Sequence, residues 1–340
     1  MSCDPVENFH RRLLRRNQYH EFDPRERFLN SEASSYNRAH HRFVSLLACC
    51  ILLLIVAGAL VTSNDAGLAV PDWPTTFGSL YRIPPMVGGV KFEHGHRMIA
   101  EFIGLLTIIL AVWTWRAERR SWMRKLGLVA LGAVIAQGVL GGITVRFYLP
   151  PAVSTAHATL AQTFFCLVVV MAMVTGRGWI EESPAPVFDY RRPSLRTLAT
   201  LSVAAVYLQL ILGAAFRHSG LKLLPHLVSA VAVTVLLLWT ITRVLTSFSA
   251  APQLRRPAGV LLALLLVQLL LGFAAYLTRV VWSSDAAQPM LSMVVATVAH
   301  VAVGAVVLAT TVVLAVQAYR HTSVQADVVM SHPAPTKVVA

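Results

Sequence analysis

The chain has 340 residues, of which 56% are hydrophobic and only 13% are charged. Water-soluble globular proteins rarely have so few charged residues, so the composition excludes that class and predicts an integral membrane protein. The formal net charge is +13, but the basic residues do not form one patch with interleaved aromatic residues, which argues against a nucleic-acid-binding protein.

A basic tail, residues 1–42, precedes the first apolar run. It contains no apolar stretch of the kind that a cleavable signal peptide needs. It also contains six acidic residues, in which mitochondrial presequences are poor: Asp4, Glu7, Glu21, Asp23, Glu26 and Glu32. We therefore expect a protein of the bacterial cytoplasmic (inner) membrane, with this tail in the cytoplasm.

Eight apolar runs follow, each long enough for a helix of about 20 residues to cross a hydrocarbon core of about 30 Å. They lie at 43–63, 97–115, 125–146, 154–175, 197–217, 223–243, 257–279 and 291–317. With the tail inside, 22 of the 29 Lys and Arg residues fall on the inner face. The positive-inside rule therefore places both termini in the cytoplasm, and the predicted fold is an all-α membrane protein with eight transmembrane helices.

The outer connection between the first two spans is rich in glycine, proline and aromatic residues, and it contains Asp72 and Trp73. It is too apolar for a simple solvated linker. We expect a lid over the outer ends of the first helices, although an interfacial aromatic belt explains Trp73 equally well.

The second span begins with the stretch KFEHGHRMIAE, which places Glu93, His94, His96 and Arg97 within five residues. If the helix extends back to Glu93, this residue shares a face with His96, whereas His94 points elsewhere. A carboxylate there can accept a proton or stabilise a developing cation on a bound cofactor. It can equally be an acid that the N-terminal end of the helix dipole favours.

A glutamine followed by a Leu-Gly pair recurs in the third, fifth and seventh spans, as QGVLGG (137–142), QLILGA (209–214) and QLLLGF (268–273). Small residues let another helix or a flat ligand approach the backbone. Ordinary helix packing explains any single copy, but the recurrence favours a duplicated unit. We predict two pseudo-symmetric four-helix bundles at 43–175 and 197–318, a cytoplasmic linker at 176–196 and a C-terminal cytoplasmic tail at 319–340.

Each even-numbered span carries one histidine at a similar depth: His96, His157, His226 and His300. The next inner arginine lies 20 residues further along in three spans and 17 residues further in the sixth. At about 1.5 Å per residue these intervals are about 25–30 Å, which places the histidines toward the outer face.

Two imidazoles that face each other across a four-helix bundle can ligate one haem iron from both sides. His96 with His157, and His226 with His300, would make two such sites. A catalytic zinc ion needs three converging protein ligands, and neither an HExxH motif nor a cysteine cluster is present. Copper remains open, although Met and Cys are not grouped around these histidines. Four arginines near the same level can neutralise haem propionates or contact the lid, and each can equally be an anchor at the membrane interface: Arg97, Arg146, Arg217 and Arg279.

Several motifs in order make residues 43 to 318 resemble the haem A synthase family. They are GLAVPDWP (67–74), the E-x-x-H-R element (93–97), QGVLGGITV (137–145), AHATLAQ (156–162) and QLILGAAFRH (209–218) with the later histidines. The resemblance implies an oxidoreductase that converts the C8 methyl group of haem o to a formyl group, giving haem a for cytochrome oxidase. It also implies that His96 and His157 flank substrate haem, that His226 and His300 hold haem b, and that Glu93 is catalytic.

The chain departs from many bacterial members of that family because it has no cysteine pair between Gly67 and Lys91. It resembles the cysteine-free type, in which no thiol relay takes part. The implied partners are haem o, haem O synthase, cytochrome oxidase assembly factors, a quinone or other electron acceptor, and the lipid bilayer. A dihaem b-type cytochrome that only passes electrons from quinol would need the four histidines but not Glu93, and a haem carrier would bind without turnover.

Overall fold

The computed structural model of the chain describes residues 35–184, 186–282 and 289–324. Within those ranges, eight helices are long and apolar enough to cross a membrane, which confirms the predicted all-α class. They are α1 (Arg38–Ser63), α2 (Val90–Ala117), α3 (Ser121–Arg146), α4 (Pro151–Val174), α5 (Leu195–Arg217), α6 (Leu223–Ser247), α7 (Pro252–Tyr276) and α8 (Leu291–His321). A π-helical turn, Leu277–Val281, extends α7. Most of the predicted tails, residues 1–34 and 325–340, lies outside the described residues.

Three helices begin five or more residues earlier than hydropathy predicted. α1 begins at Arg38, where the side chain of Asn37 accepts a hydrogen bond from the His40 amide at 3.0 Å and so caps the helix. α7 begins at Pro252, because proline suits the first helical position, where no amide hydrogen is needed. α2 begins seven residues before the predicted 97, since its first two turns are polar. The other ends lie within four residues of the prediction.

The helices contact one another in two rings. In the first, α1 and α3 each contact α2 and α4; in the second, α5 and α7 each contact α6 and α8. The rings join where α8 meets α1 and α4, and where α4 meets α5. Lipid tails are as apolar as the buried leucines and isoleucines, so van der Waals packing, not exclusion of water, stabilises these contacts. The pseudo-symmetry, the domain boundaries and the placement of both termini in the cytoplasm stay predictions.

The connection between the rings packs against the end of α8. It contains a short helix, Arg177–Glu181, and a strand, β1 (Val187–Phe188), which pairs in parallel with β2 (Thr322–Ser323) after α8. The buried carboxylate of Asp189 forms an ion pair with Arg243 of α6. It also accepts a hydrogen bond, 2.6 Å long, from the backbone amide of Leu195 at the start of α5. This connection is therefore bonded to three helices of the second ring.

Replacing Arg243 by methionine should destabilise the protein strongly, because the charge of Asp189 would stay buried without its partner. The expected loss is about 3–5 kcal/mol, measured by thermal unfolding in detergent. The matched control is Arg177→Met, which removes an ion pair with Glu181 that is exposed to solvent and should leave stability unchanged. Equal stability of the two variants would contradict the role assigned to the buried pair.

Candidate functional site

Each of the four histidines lies edge-on against a glycine of the preceding long helix. A Cβ atom built on the glycine would lie only 2.8–3.3 Å from Cε1 of the imidazole. In every pair Cε1 is the nearest ring atom and Nδ1 the next, so the four rings are held in the same way. The pairs are Gly58–His96, Gly141–His157, Gly213–His226 and Gly272–His300.

Three of these glycines belong to the repeated glutamine motif, which the sequence alone had left open to ordinary packing. Their specific role is to leave room for an imidazole. The fourth, Gly58 on α1, was missed because Leu54 occupies the position where the other three helices have glutamine. The available signal was that Gly58 follows Leu54 by the same interval that separates the glutamine from the glycine in the other three helices.

The second pair of histidines has the geometry that one iron ion needs. The ring centroids of His226 and His300 are 6.4 Å apart and the rings are nearly perpendicular, at 84°. Two imidazoles that bind one metal ion from opposite sides, with metal–nitrogen distances of about 2.0–2.1 Å, place their centroids about 6 Å apart. The pair therefore fits a haem iron with two axial histidines.

On one side, the imidazoles face the backbone of the glycine-bearing helices. Nδ1 makes no hydrogen bond to a described side chain in any of the four, but the rings of His157, His226 and His300 interact with the backbone of the motif glutamines Gln137, Gln209 and Gln268. No group of three or more His, Cys, Asp and Glu side chains in the described ranges is arranged to hold a metal ion.

The two halves differ in what lies next to Nε2 of the imidazoles. The amide nitrogens of Gln209 and Gln268 lie 3.5 Å and 3.4 Å from Nε2 of His226 and His300. In the first half, Leu54 replaces one glutamine, and Oε1 of Gln137 is buried without a partner among the described residues. The second pair is thus supported by side-chain amides, whereas the structure records no such contact to His96 or His157.

Glu93 is buried beside the first pair, with 4% of its surface exposed. Its Oε2 accepts a hydrogen bond from the backbone amide of Val70 at 2.7 Å, and its Oε1 accepts one from Nη2 of Arg97, also at 2.7 Å. Arg97 also donates to three backbone carbonyls of the α1–α2 connection, those of Val70, Asp72 and Thr75, at 2.7–3.1 Å. Of the roles predicted for Arg97, these bonds support the lid contact; binding of a haem propionate stays a prediction.

We call residues 64–79 of the α1–α2 connection the lid. At α2, the lid is held by Glu93 and Arg97, and the Thr76 hydroxyl lies 3.2 Å from Nδ1 of His94. At α3, the indole of Trp73 covers Gly142, where a Cβ atom would come within 2.6 Å of Cε2 and Cε3. The lid therefore spans the helix that carries His96 and the helix whose Gly141 contacts His157.

Asp72 shapes the lid itself. Its carboxylate accepts hydrogen bonds from the Thr75 hydroxyl and, at 2.8 Å each, from the amides of Phe77 and Gly78. Burial alone would raise the pKa of Asp72, but these hydrogen bonds lower it to about 2. Asp72 therefore stays ionised at physiological pH and holds the turn after Trp73.

Of the remaining predicted arginines, Arg217 and Arg279 lie close enough to each other to interact electrostatically. Arg146 is exposed at the end of α3. Nη2 of Arg217 donates to the carbonyl of Ala59 at 2.9 Å and to the hydroxyl of Ser63 at 2.6 Å, which joins α5 to α1 across the two rings. Arg279 lies in the π-helical turn, 3.8 Å from Sδ of Met293.

His218 lies close enough to His157 for the two to interact electrostatically, and the sequence analysis assigned it no role. Burial, together with Arg217 and His157, lowers its pKa to about 4. It lies just after α5 instead of inside an even-numbered span, so the depth comparison did not select it. Its only sequence signal was its place in the stretch QLILGAAFRH.

Comparisons with known proteins agree with this geometry. Residues 90–224 match the model of the COX15-CtaA family, described as cytochrome oxidase assembly protein. A protein named heme A synthase from Symbiobacterium thermophilum is 30% identical over 261 residues, which cover 68% of this chain and 84% of that relative. The chain belongs to the haem A synthase family.

Other members of the haem A synthase family match over shorter stretches. Proteins of that name from Shouchella clausii and Lysinibacillus sphaericus are 31% and 28% identical over 36% and 54% of this chain. These alignments span 40% and 61% of the two relatives, less than two thirds of their lengths. The family match at 90–224 includes Glu93, His96 and His157 and ends just before His226.

Replacing Gly213 by alanine should displace His226, because the new methyl group would lie 2.8 Å from Cε1 of the imidazole. Misplacing a metal ligand in this way should weaken haem binding by about 10–100-fold, measured by titration of the purified protein with haem and absorption spectroscopy. Gly259→Ala on α7 is the control, since a Cβ atom there meets nothing within 4 Å. If both variants bound haem like the unmodified protein, the glycine contact would have no part in the site.

Proposed function

We propose that this protein is a haem A synthase, which oxidises the C8 methyl group of haem o to a formyl group and so gives haem a for cytochrome oxidase. The observation that carries the proposal is the combination of four similarly seated histidines with a buried carboxylate, that of Glu93, beside the first pair, in a chain of this family. A pure electron-transfer cytochrome would need the histidines but not the carboxylate.

The two histidine pairs have different roles in this proposal. His96 and His157 would flank the substrate haem, and His226 and His300 would hold haem b, a role that the 6.4 Å separation of their centroids supports. Haem b would supply one-electron redox chemistry toward a quinone or another acceptor. The amide nitrogens of Gln209 and Gln268 lie beside Nε2 of His226 and His300 and so line the space next to this pair.

Glu93 is the residue that handles protons at the substrate. Arg97 and the Val70 amide each occupy one of its oxygens and fix the carboxylate near His96, and the remaining lone pairs can accept a proton from the methyl group. The same negative charge would stabilise a cation that develops at the edge of the ring. With His96 and His157 both holding the substrate iron, oxidation would take place at the ring edge. One water molecule would supply the oxygen atom, and two molecules of quinone, or an equivalent acceptor, would take up the four electrons and four protons released as the methyl group becomes a formyl group.

The proposed setting is the bacterial cytoplasmic membrane, with both histidine pairs toward its outer face. The excess of Lys and Arg on the predicted inner face supports this orientation. Haem O synthase is the proposed source of the substrate, and cytochrome oxidase assembly factors are the proposed recipients of the product.

Glu93→Gln should abolish most of the formyl formation. We expect a loss of about 10²–10⁴-fold, the usual contribution of a positioned acid or base, when the purified protein receives haem o and an oxidised quinone. Mass spectrometry of the extracted haem would show the product by its gain of one oxygen atom and loss of two hydrogen atoms.

The control is Glu101→Gln, which changes an exposed acid two turns further along α2 and should leave turnover intact. The absorption of haem at the second pair should be unchanged in both variants. Full turnover in Glu93→Gln would remove the catalytic role, and haem binding without any formyl product in the unmodified protein would leave a dihaem electron-transfer cytochrome.

A further inference from the structure

The outer connections of the two halves differ far more than their helices do. In the first half, residues 64–89 join α1 to α2, whereas in the second half residues 218–222 alone join the corresponding helices α5 and α6. Only the first connection is long enough to form a lid that reaches a third helix. The two histidine pairs therefore differ in the outer connection between the first two helices of their halves.

The lid is held at two places by contacts that can open. At α2, apart from the ion pair between them, the recorded side-chain bonds of Glu93 and Arg97 go to the lid backbone, through one amide and three carbonyls. At α3, the contact is the Trp73 indole on Gly142, and 37% of the Trp73 surface remains exposed. Beyond the lid, Leu80 and Tyr81 are 72% and 92% exposed, so the rest of the connection packs little against the described part of the chain.

We propose that the lid controls exchange at the first histidine pair. Haem reaches His96 and His157, and leaves them, when Trp73 lifts from Gly142 and the lid backbone leaves Arg97; the second pair, whose α5–α6 connection of residues 218–222 is too short to form such a lid, retains its haem. This inference rests on the proposed function in one respect, that the ligand exchanged at the first pair is the substrate.

Lid closure and placement of the carboxylate are then one event. The Val70 amide that bonds to Glu93 belongs to the lid, so an open lid deprives the carboxylate of one of its two fixed donors. A closed lid also excludes water from the reacting ring, as closing loops do in other enzymes. A substrate that must enter and leave on every turnover needs such an opening, whereas a resident cofactor does not.

Gly142→Ala tests the lid directly, because its Cβ atom would overlap the Trp73 ring. Gly138→Ala is a matched control on the same helix, one turn earlier, where a Cβ atom meets nothing within 4 Å. The full-length protein in detergent is loaded with haem b at both pairs, and release is followed as transfer to apomyoglobin. His96→Ala and His226→Ala assign the release phases to the first and second pair.

We expect a fast phase from the first pair and a slow phase from the second. Gly142→Ala should speed the fast phase by about tenfold, the effect of losing one aromatic contact from the closed state, and should leave the slow phase unchanged. Trp73→Ala, a change at a partly exposed residue that does not crowd α3, should have the same effect, and the two changes together should not add. Gly138→Ala should behave like the unmodified protein.

A second readout needs no haem. Hydrogen–deuterium exchange of the amides in residues 66–79 should increase in Gly142→Ala and in Trp73→Ala, and stay unchanged in Gly138→Ala. Release in a single phase, a fast phase that ignores both lid variants, or an effect on the slow phase alone would overturn the proposal. If the lid variants speed the fast phase but haem o never gains a formyl group, the lid proposal holds and the proposed function is wrong. If haem o gains a formyl group but the lid variants leave the fast phase unchanged, the proposed function holds and the lid proposal is wrong.

Discussion

The contact on which both sites depend is that of an imidazole lying edge-on against a helix backbone. A histidine on one helix can approach its neighbour this closely only where the neighbour has no side chain, and the chain meets this condition four times. In lipid, where burial of apolar surface does not draw helices together, such close contacts also supply the packing between helices. The same glycines therefore pack the rings and set the distance between facing histidines, which is 6.4 Å between centroids in the second pair.

Burial of charge is the second constraint, and it explains the one large error in the predicted helices. The first two turns of α2 carry Glu93 and Arg97, which lipid would not tolerate as single charges. They bond to each other and to the lid backbone, so these turns are helical and protein-covered although their hydropathy is low. The same bonds give Arg97 a role in holding the lid that the sequence mentioned only as one of several alternatives.

Hydropathy was sufficient for the eight spans because a membrane requires long apolar helices whatever their packing. Depth along the helix was sufficient to select four histidines and to set His94 aside, since depth depends on helical rise alone. The helical rise does not tell which neighbouring helix a side chain faces, or which distant segments of the chain it contacts. Gly58, the contact of Trp73 with Gly142 and the approach of His218 to His157 all depend on how helices pack against segments far away in the chain, and no periodicity within one span reports them.

The two halves use one arrangement of helices for different ends, and the differences are local. At the position one turn before the glycine, α5 and α7 place amides near their histidines, whereas α1 has Leu54. At the outer end, the first half has a lid that is bonded to Glu93, whereas residues 218–222 alone join α5 to α6 in the second half. A loop attached by backbone hydrogen bonds can open repeatedly. In the proposal made above, a longer loop in one copy of a repeated unit is therefore enough for that copy to exchange its haem while the other copy retains it.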